Sequence, residues 1–227
     1  MSSSGARPAF YALGSGGWRD YMTLLHVPYT IWHLSYVALG AALLPRIKWG
    51  LLGWTALAFF LAMGIGAHAL DELKGRPLGT RIPRIVLAAL AALSIGAASA
   101  IGLAIAAGST WWLSAFVAAG VFIAVAYNLE LFGGAFHSDL WFSAAWGAFP
   151  LVTAYFAAAD RFRLEVLPAA AFALLTSLAQ RTLSTQVRFA RRRLHDPAAA
   201  APAETALKLL ALAMPLVAAA LLLARSG

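Results

Sequence analysis

The chain of 227 residues contains no cysteine, which excludes disulfides and thiolate metal sites and leaves the redox compartment unreadable from thiols. Charge is scarce as well: 11% of residues are charged and only nine are acidic, against about 25% charged residues in a soluble domain. In their place stand long apolar runs. Hydrophobic residues make up 62% of the chain and the mean hydropathy is +0.77, beyond the roughly 45–50% apolar content of soluble proteins. These values point to an integral membrane protein with no room for a separate soluble domain. The opening "MSSSGARPAFYALGSGGWRD" lacks the short apolar core and cleavage site of a signal peptide, so the first span is expected to act as the insertion signal. The net charge of +8 is explained by basic loops beside anionic lipid, and nucleic acid is not expected as a partner.

Apolar runs and their breaks predict an all-α, polytopic helical bundle of about seven spans, because lipid offers backbone groups no partner outside their own helix. The expected spans are 27–45, 49–70, 83–107, 110–131, 140–159, 165–187 and 205–224, forming a single domain over 26–227 after an N-terminal segment, 1–25. Small residues in "AALAALSIGAASAIGLAIAAG" favour close helix packing. Twelve of the 17 Lys and Arg fall on the side of the N-terminus, Arg7, Arg19, Lys74, Arg76, Arg81, Arg84, Arg181, Arg188, Arg191, Arg192, Arg193 and Lys208; Arg46, Lys48, Arg161, Arg163 and Arg225 fall on the other. That bias predicts a cytoplasmic N-terminus, in a bacterial or archaeal cytoplasmic membrane.

Three polar segments converge on that face. In "AHALDELKGRPLGTRIP", His68, Asp71 and Glu72 stand at i, i+3 and i+4 and share a helix face if the second span extends that far. Ionisable groups at the end of a span tend to face the bundle interior or a watery cavity; the plainer alternative makes them interfacial counter-ions of Lys74 and Arg76. In "AYNLELFGGAFHSDLWFSAAWGAFP", Tyr127 and Glu130 are one helical turn apart, beside Asn128, and His137 and Asp139 follow a Gly-Gly break. If the helix persists, Glu130 is aimed into the bundle or lies in the interface. His68, Asp71, Glu130, His137 and Asp139 are adequate donors for a divalent metal, although their spacing matches no zinc pattern. The sixth span ends in Thr176, Gln180, Arg181, Thr182, Ser184 and Gln186, followed by "RFARRRLHD". An arginine fork there suits phosphate oxygens; Arg188 to Arg193 have the ordinary role of a lipid-headgroup anchor, and Arg181 lies deeper. Tyr29, His33 and Tyr36 form a stripe of the kind usually given to packing, and "HDPAAAAPAETALK" reads as a linker before the last helix.

The order of these segments, "VPYTIWHLSYVALGAAL", an acidic motif followed by "RPLGTRIP", "YNLEL", "WGAFP" and a polar close to the sixth span, resembles the UbiA superfamily of intramembrane prenyltransferases over roughly residues 22–200. The resemblance implies a helical bundle, of nine spans in that family, around a cavity open to the cytoplasm. It also implies magnesium held by two aspartate-rich motifs, a polyprenyl diphosphate donor and an acceptor that attacks the allylic cation. The family's first motif, N-D-x-x-D-x-x-x-D followed by R-P-L, falls on Ala67, His68, Asp71 and Arg76-Pro77-Leu78. One aspartate remains, Asp71, with Glu72 beside it and His68 where another is expected. The second D-x-x-x-D falls near Thr176 and Gln180 and supplies no carboxylate, so magnesium would have ligands on one side only. The tyrosine after the fourth span corresponds to Tyr127, and its companion lysine near Leu131 is missing.

The resemblance therefore implies a shortened prenyltransferase acting on a polyprenyl diphosphate or related isoprenoid lipid. In it Asp71, Glu72, Tyr127 and Glu130 are the catalytic candidates, with Asp71 and Glu72 the metal pair. His68, Arg76, Asn128, His137, Asp139, Gln180 and Arg181 are candidates for substrate contact. Two alternatives stay open: a metal or acid–base centre of His, Asp and Glu performing different lipid chemistry on the same fold, and a non-catalytic lipid-binding or assembly protein. The absence of two family spans leaves the bundle open or completed by a membrane-protein partner or a second copy.

Overall fold

A computed structural model describes residues 9–226; Arg7 and the first eight residues of the expected N-terminal segment lie outside the described residues. Helix accounts for 79% and, among the described residues, there is no strand. A short helix α1 (Trp18–Leu24) is followed by α2 (Val27–Ala42), α3 (Trp49–Gly75), α4 (Arg84–Gly108) and α5 (Leu113–Asn128). Then come α6 (Asp139–Ala159), α7 (Val166–Leu194) and α8 (Pro197–Ala224). Five of these, α3, α4, α6, α7 and α8, are long and apolar enough to cross a membrane. Two of the expected spans are shorter than drawn: α2 and α5 each run for 16 residues, roughly 24 Å at 1.5 Å per residue.

Helix α2 is central. It packs on α6 and α8 and more lightly on α3, while α4 packs on α3 and α5, and α7 on α6 and α8. The core follows: Trp32 and Tyr36 of α2 are fully buried with Leu151 and Tyr155 of α6. The Tyr36 hydroxyl receives the Trp32 indole N–H at 2.6 Å and lies 2.7 Å from Thr176 Oγ1 and 3.2 Å from Ser177 Oγ of α7. Tyr36 is thus the packing member of the Tyr29/His33/Tyr36 stripe.

Three π-helical stretches, Phe60–Ala67 in α3, Ala144–Ala148 in α6 and Ala190–Leu194 in α7, interrupt the α geometry. Each lies in or just before one of the polar segments, where such bulges re-aim side chains. The bulge in α6 adjoins Pro150, whose missing N–H deprives the Trp146 carbonyl of its helical donor; the His33 ring lies against that carbonyl.

Several boundaries differ from expectation for identifiable reasons. Helix α5 ends at Asn128 because Glu130, Phe132, Gly133 and Gly134 all adopt left-handed backbone angles, so Glu130 leaves the helical face of Tyr127. Its carboxylate is exposed, 3.7 Å from Lys74 Nζ. Helix α7 continues to Leu194, past 187, and carries the arginine tract on its last turns. Helix α8 starts at Pro197, eight residues before the expected span, because Asp196 caps it by accepting the N–H groups of Ala198 and Ala199 at 2.9 and 3.1 Å and proline suits the first helical position.

Two glycines set the closest approaches. A Cβ on Gly40 of α2 would strike the Leu151 carbonyl, and one on Gly147 of α6 the Ala173 carbonyl and Ser177 Oγ, whereas Gly96 of α4 faces open space. Overpacking at such contacts costs about 1–3 kcal/mol. Gly40→Ala and Gly147→Ala are therefore expected to lower the unfolding midpoint in detergent by several degrees, and Gly96→Ala to leave it unchanged; equal midpoints for all three would contradict this packing.

Candidate functional site

The ends of α3, α5 and α7 and the starts of α2, α4, α6 and α8 meet at one end of the bundle, the end carrying most of the arginines. Glu72 is completely buried. Its Oε1 accepts the Thr80 N–H and hydroxyl, both at 2.8 Å, and its Oε2 accepts the Leu78 N–H at 3.0 Å. Arg76, left-handed at the C-cap of α3, donates to the carbonyls of Thr80 at 2.6 Å and Ile82 at 3.0 Å. Both side chains are engaged in folding the Arg76–Ile82 loop. The N-terminal segment docks on that loop: buried Asp20 accepts the Gly16 N–H through Oδ1 and the Arg81 N–H through Oδ2, each at 2.9 Å.

Asp71 faces elsewhere. It lines a pocket of about 110 Å³ together with Tyr11, His26, Tyr29, Arg188 and Arg192. Burial, aided by Tyr29, pushes the Tyr11 hydroxyl well above its ordinary pKa, so it remains a hydrogen-bond donor at neutral pH. Burial together with His68 and His33 holds His26 well below the usual imidazole value; it is neutral. His68 stacks edge-on against His26 with ring centroids 4.0 Å apart, and its Nδ1 is 3.1 Å from the Gly64 carbonyl.

Deeper in the bundle Phe142 is a hub. Its ring lies 6.0 Å from those of His33 and Tyr127, stacks on Trp146 at 5.5 Å and sits under the Arg181 guanidinium at 5.3 Å. Tyr127 also touches Trp146 at 4.6 Å and stacks on His137 at 4.5 Å, whose Nδ1 lies 3.1 Å from the Tyr127 carbonyl. Arg181 Nε donates to Asp139 Oδ1 at 2.9 Å. Asn128 donates to the Ala124 carbonyl within its own helix at 2.7 Å. Among the described residues, the buried atoms His26 Nδ1, His33 Nδ1, Tyr127 Oη and Gln180 Oε1 have no hydrogen-bond partner, and neither has Thr153 Oγ1 farther along α6. Unpaired buried polar atoms cost about 1–3 kcal/mol each, and their gathering marks an interior suited to a polar ligand.

Between α3, α4, α5 and α6 lies a chamber of about 80 Å³ with an almost wholly apolar lining, which includes Ala62 of α3, Gly102 of α4, Val117 and Gly120 of α5 and Phe149 of α6. Asp71 stands nine positions after Ala62 along α3, roughly 13 Å of rise. On α5 the chamber residue Ala124 lies one turn before Tyr127 and Asn128. Between Ala62 and Asp71 on α3 lies Ala67, which packs with Tyr127 and Trp146.

The predicted site residues thus divide. His68 and Asp71 come together with His26 and Tyr11, and Tyr127, His137, Asp139 and Arg181 gather around Phe142, whereas Glu72 and Arg76 hold the loop and Glu130 stays outside. Among the described residues no three His, Asp or Glu side chains gather as metal ligands. The donors do not fit the two-sided magnesium site that the resemblance implies: both Glu72 oxygens are taken, Asp71 stands alone, and Thr176 is bonded to Tyr36 and to the Phe172 carbonyl. Sequence reading overlooked Tyr11, His26 and the pocket-facing role of Tyr29, for which the only signal is an aromatic-rich start to the chain. It also gave Arg188 and Arg192 to the lipid surface. No protein-family model, curated protein or solved structure matches the chain.

Removing Glu72 strands three loop donors in a dry interior. Glu72→Ala is expected to cost about 3 kcal/mol and to open the loop to trypsin at Arg76 and Arg81, while Asp71→Ala, which breaks no internal hydrogen bond, leaves stability and cleavage unchanged. The reverse ranking would show that Glu72 does not hold the loop.

Proposed function

We propose that the chain is a divergent UbiA-like membrane prenyltransferase that binds an isoprenoid lipid with its diphosphate or related anionic head at the arginine-rich mouth and its hydrocarbon tail in the apolar chamber. The carrying observation is that α3 carries in succession Ala58 and Ala62 of the apolar chamber, Ala67 of the Tyr127/Trp146 cluster and Asp71 of the polar pocket, the profile of an amphiphile. In this reading α2 and α5 complete seven spans, crossing despite their length where the bilayer thins locally or flanking residues reach the interface. The arginine-rich end faces the cytoplasm. The open edge of the bundle is covered by lipid, a membrane partner or a second copy.

The chemistry follows from the three compartments. Heterolysis of the allylic C1–O bond sends both electrons to the departing diphosphate and leaves an allylic cation. The faces of Tyr127, Phe142 and Trp146 lie between head and tail, where cation–π attraction stabilises that charge. An acceptor nucleophile then bonds to C1 and gives up its proton, and Asp71, the carboxylate at the mouth without an internal hydrogen bond or ion pair among the described residues, is the base that takes it. Engagement of Glu72 and Arg76 with the loop favours a second reading, a lipid carrier that performs no transfer; it keeps the binding and loses the turnover.

Filling the chamber tests the tail. Ala62→Phe is expected to weaken a C20 prenyl diphosphate at least tenfold in nanodiscs while leaving inorganic diphosphate binding unaffected. Equal affinity of the variant and the natural chain for the C20 ligand would remove the chamber from the account. Diphosphate release from the C20 ligand over a panel of aromatic acceptors, lost in Asp71→Asn, separates enzyme from carrier.

A further inference from the structure

We infer that the pocket bounded by Tyr11, Tyr29, Arg188 and Arg192 is an anion site that holds a phosphate or diphosphate head directly through arginine, with no divalent cation between. The inference rests on the lipid reading above for the identity of the molecule carrying the head, and on the pocket alone for its anionic chemistry.

Arg181, Arg188 and Arg192 stand at i, i+7 and i+11 on α7, a single helical stripe. Asp139 neutralises Arg181. Among the described residues no carboxylate lies within ion-pair distance of Arg188 or Arg192. Arg188 has only neutral partners, Ser184 Oγ at 3.4 Å and Thr185 Oγ1 at 2.8 Å, and Arg192 has the Pro77 carbonyl at 3.0 Å. Both guanidiniums line the same pocket, Arg188 half-buried and Arg192 exposed. Like charges placed side by side oppose one another, and a bound anion offsets that opposition. Nearby Arg191 shows the contrast: it is matched by Glu204, with Nε at 3.1 Å and Nη2 at 2.5 Å from Oε2.

The rest of the pocket suits the same ligand. Tyr11 and Tyr29 supply hydroxyls, and the guanidinium fork matches phosphate oxygens in pairs. Asp71 is the one acidic group of the lining, and a carboxylate beside a phosphate repels it. Its loss should therefore tighten anion binding, the opposite of what a metal-ligating aspartate requires. Magnesium demands a near-octahedral set of oxygens; here the positive charge that set would hold is supplied covalently by α7.

The test is equilibrium binding to the full chain in nanodiscs of zwitterionic lipid, with a C20 prenyl diphosphate, inorganic diphosphate and phosphatidylglycerol as probes, each in EDTA and in magnesium. The expected result is binding of the diphosphates in EDTA, changed less than threefold by magnesium. Binding should weaken roughly tenfold or more in Arg188→Gln, less in Arg188→Lys, and not at all in the exposed control Arg193→Gln, while Asp71→Asn binds as tightly or more so. Binding that requires magnesium, falls in Asp71→Asn and ignores Arg188→Gln would overturn the arginine site and leave the lipid reading standing. Arg188-dependent binding of phosphatidylglycerol, with no preference for the C20 ligand, would uphold the anion site and retire the isoprenoid reading. Failure of the natural chain to bind any of the three anions would overturn the inference outright.

Discussion

A carboxylate without exposed surface governs the mouth of this bundle. Glu72 sits at the end of α3, where a charged group is tolerated only if its oxygens are occupied, and three donors from Leu78 and Thr80 occupy them. The loop so folded brings the Pro77 carbonyl to Arg192 and the Arg81 N–H to Asp20. Through those two contacts the arginine helix α7 and the N-terminal segment are fixed relative to α3. The carboxylate is thus spent on architecture, and that expenditure decides what chemistry remains for the site: Asp71, one position earlier, is the carboxylate left facing the pocket.

The apolar chamber explains why the polar groups are confined to one end. Helices α3, α4 and α5 present small residues such as Ala62, Gly102 and Gly120 to a common space, which close packing of larger side chains would fill. Tyr127, Phe142 and Trp146 pack against one another nearer the mouth, beside Ala67 of α3. A ligand lying across this boundary has to be amphiphilic, since a wholly polar one forfeits the chamber and a wholly apolar one leaves the buried polar atoms unpaired. The low dielectric around the aromatic cluster strengthens any charge interaction made there.

Much of the architecture was legible because lipid imposes it. Long apolar runs can only be helices, and the expected spans at 49–70, 83–107 and 140–159 overlap α3, α4 and α6 closely. Boundaries that failed did so at local chemistry: the left-handed turn at Glu130, the cap supplied by Asp196, and the continuation of α7 through its arginines. Of the site, clustering of His68, Asp71, Tyr127, His137 and Arg181 at one end followed from loop order, while the allocation of individual side chains did not. Adjacent residues such as Asp71 and Glu72 look alike in sequence, and only the return of the Leu78–Thr80 backbone separates their roles. The π turns before His68 and around Trp146 leave no mark in hydrophobic periodicity, so the directions in which those residues point were unreadable.

The measurement that bears most directly on the account is photoaffinity labelling in nanodiscs with a prenyl diphosphate whose terminal isoprene carries a photoreactive group, followed by peptide mapping. Cross-links are expected to chamber residues, among them Ala58 and Ala62 on α3 and Val117 and Gly120 on α5, suppressed by excess unlabelled ligand. Unsuppressed labelling confined to lipid-facing positions such as Leu93 and Leu103 of α4 would contradict it.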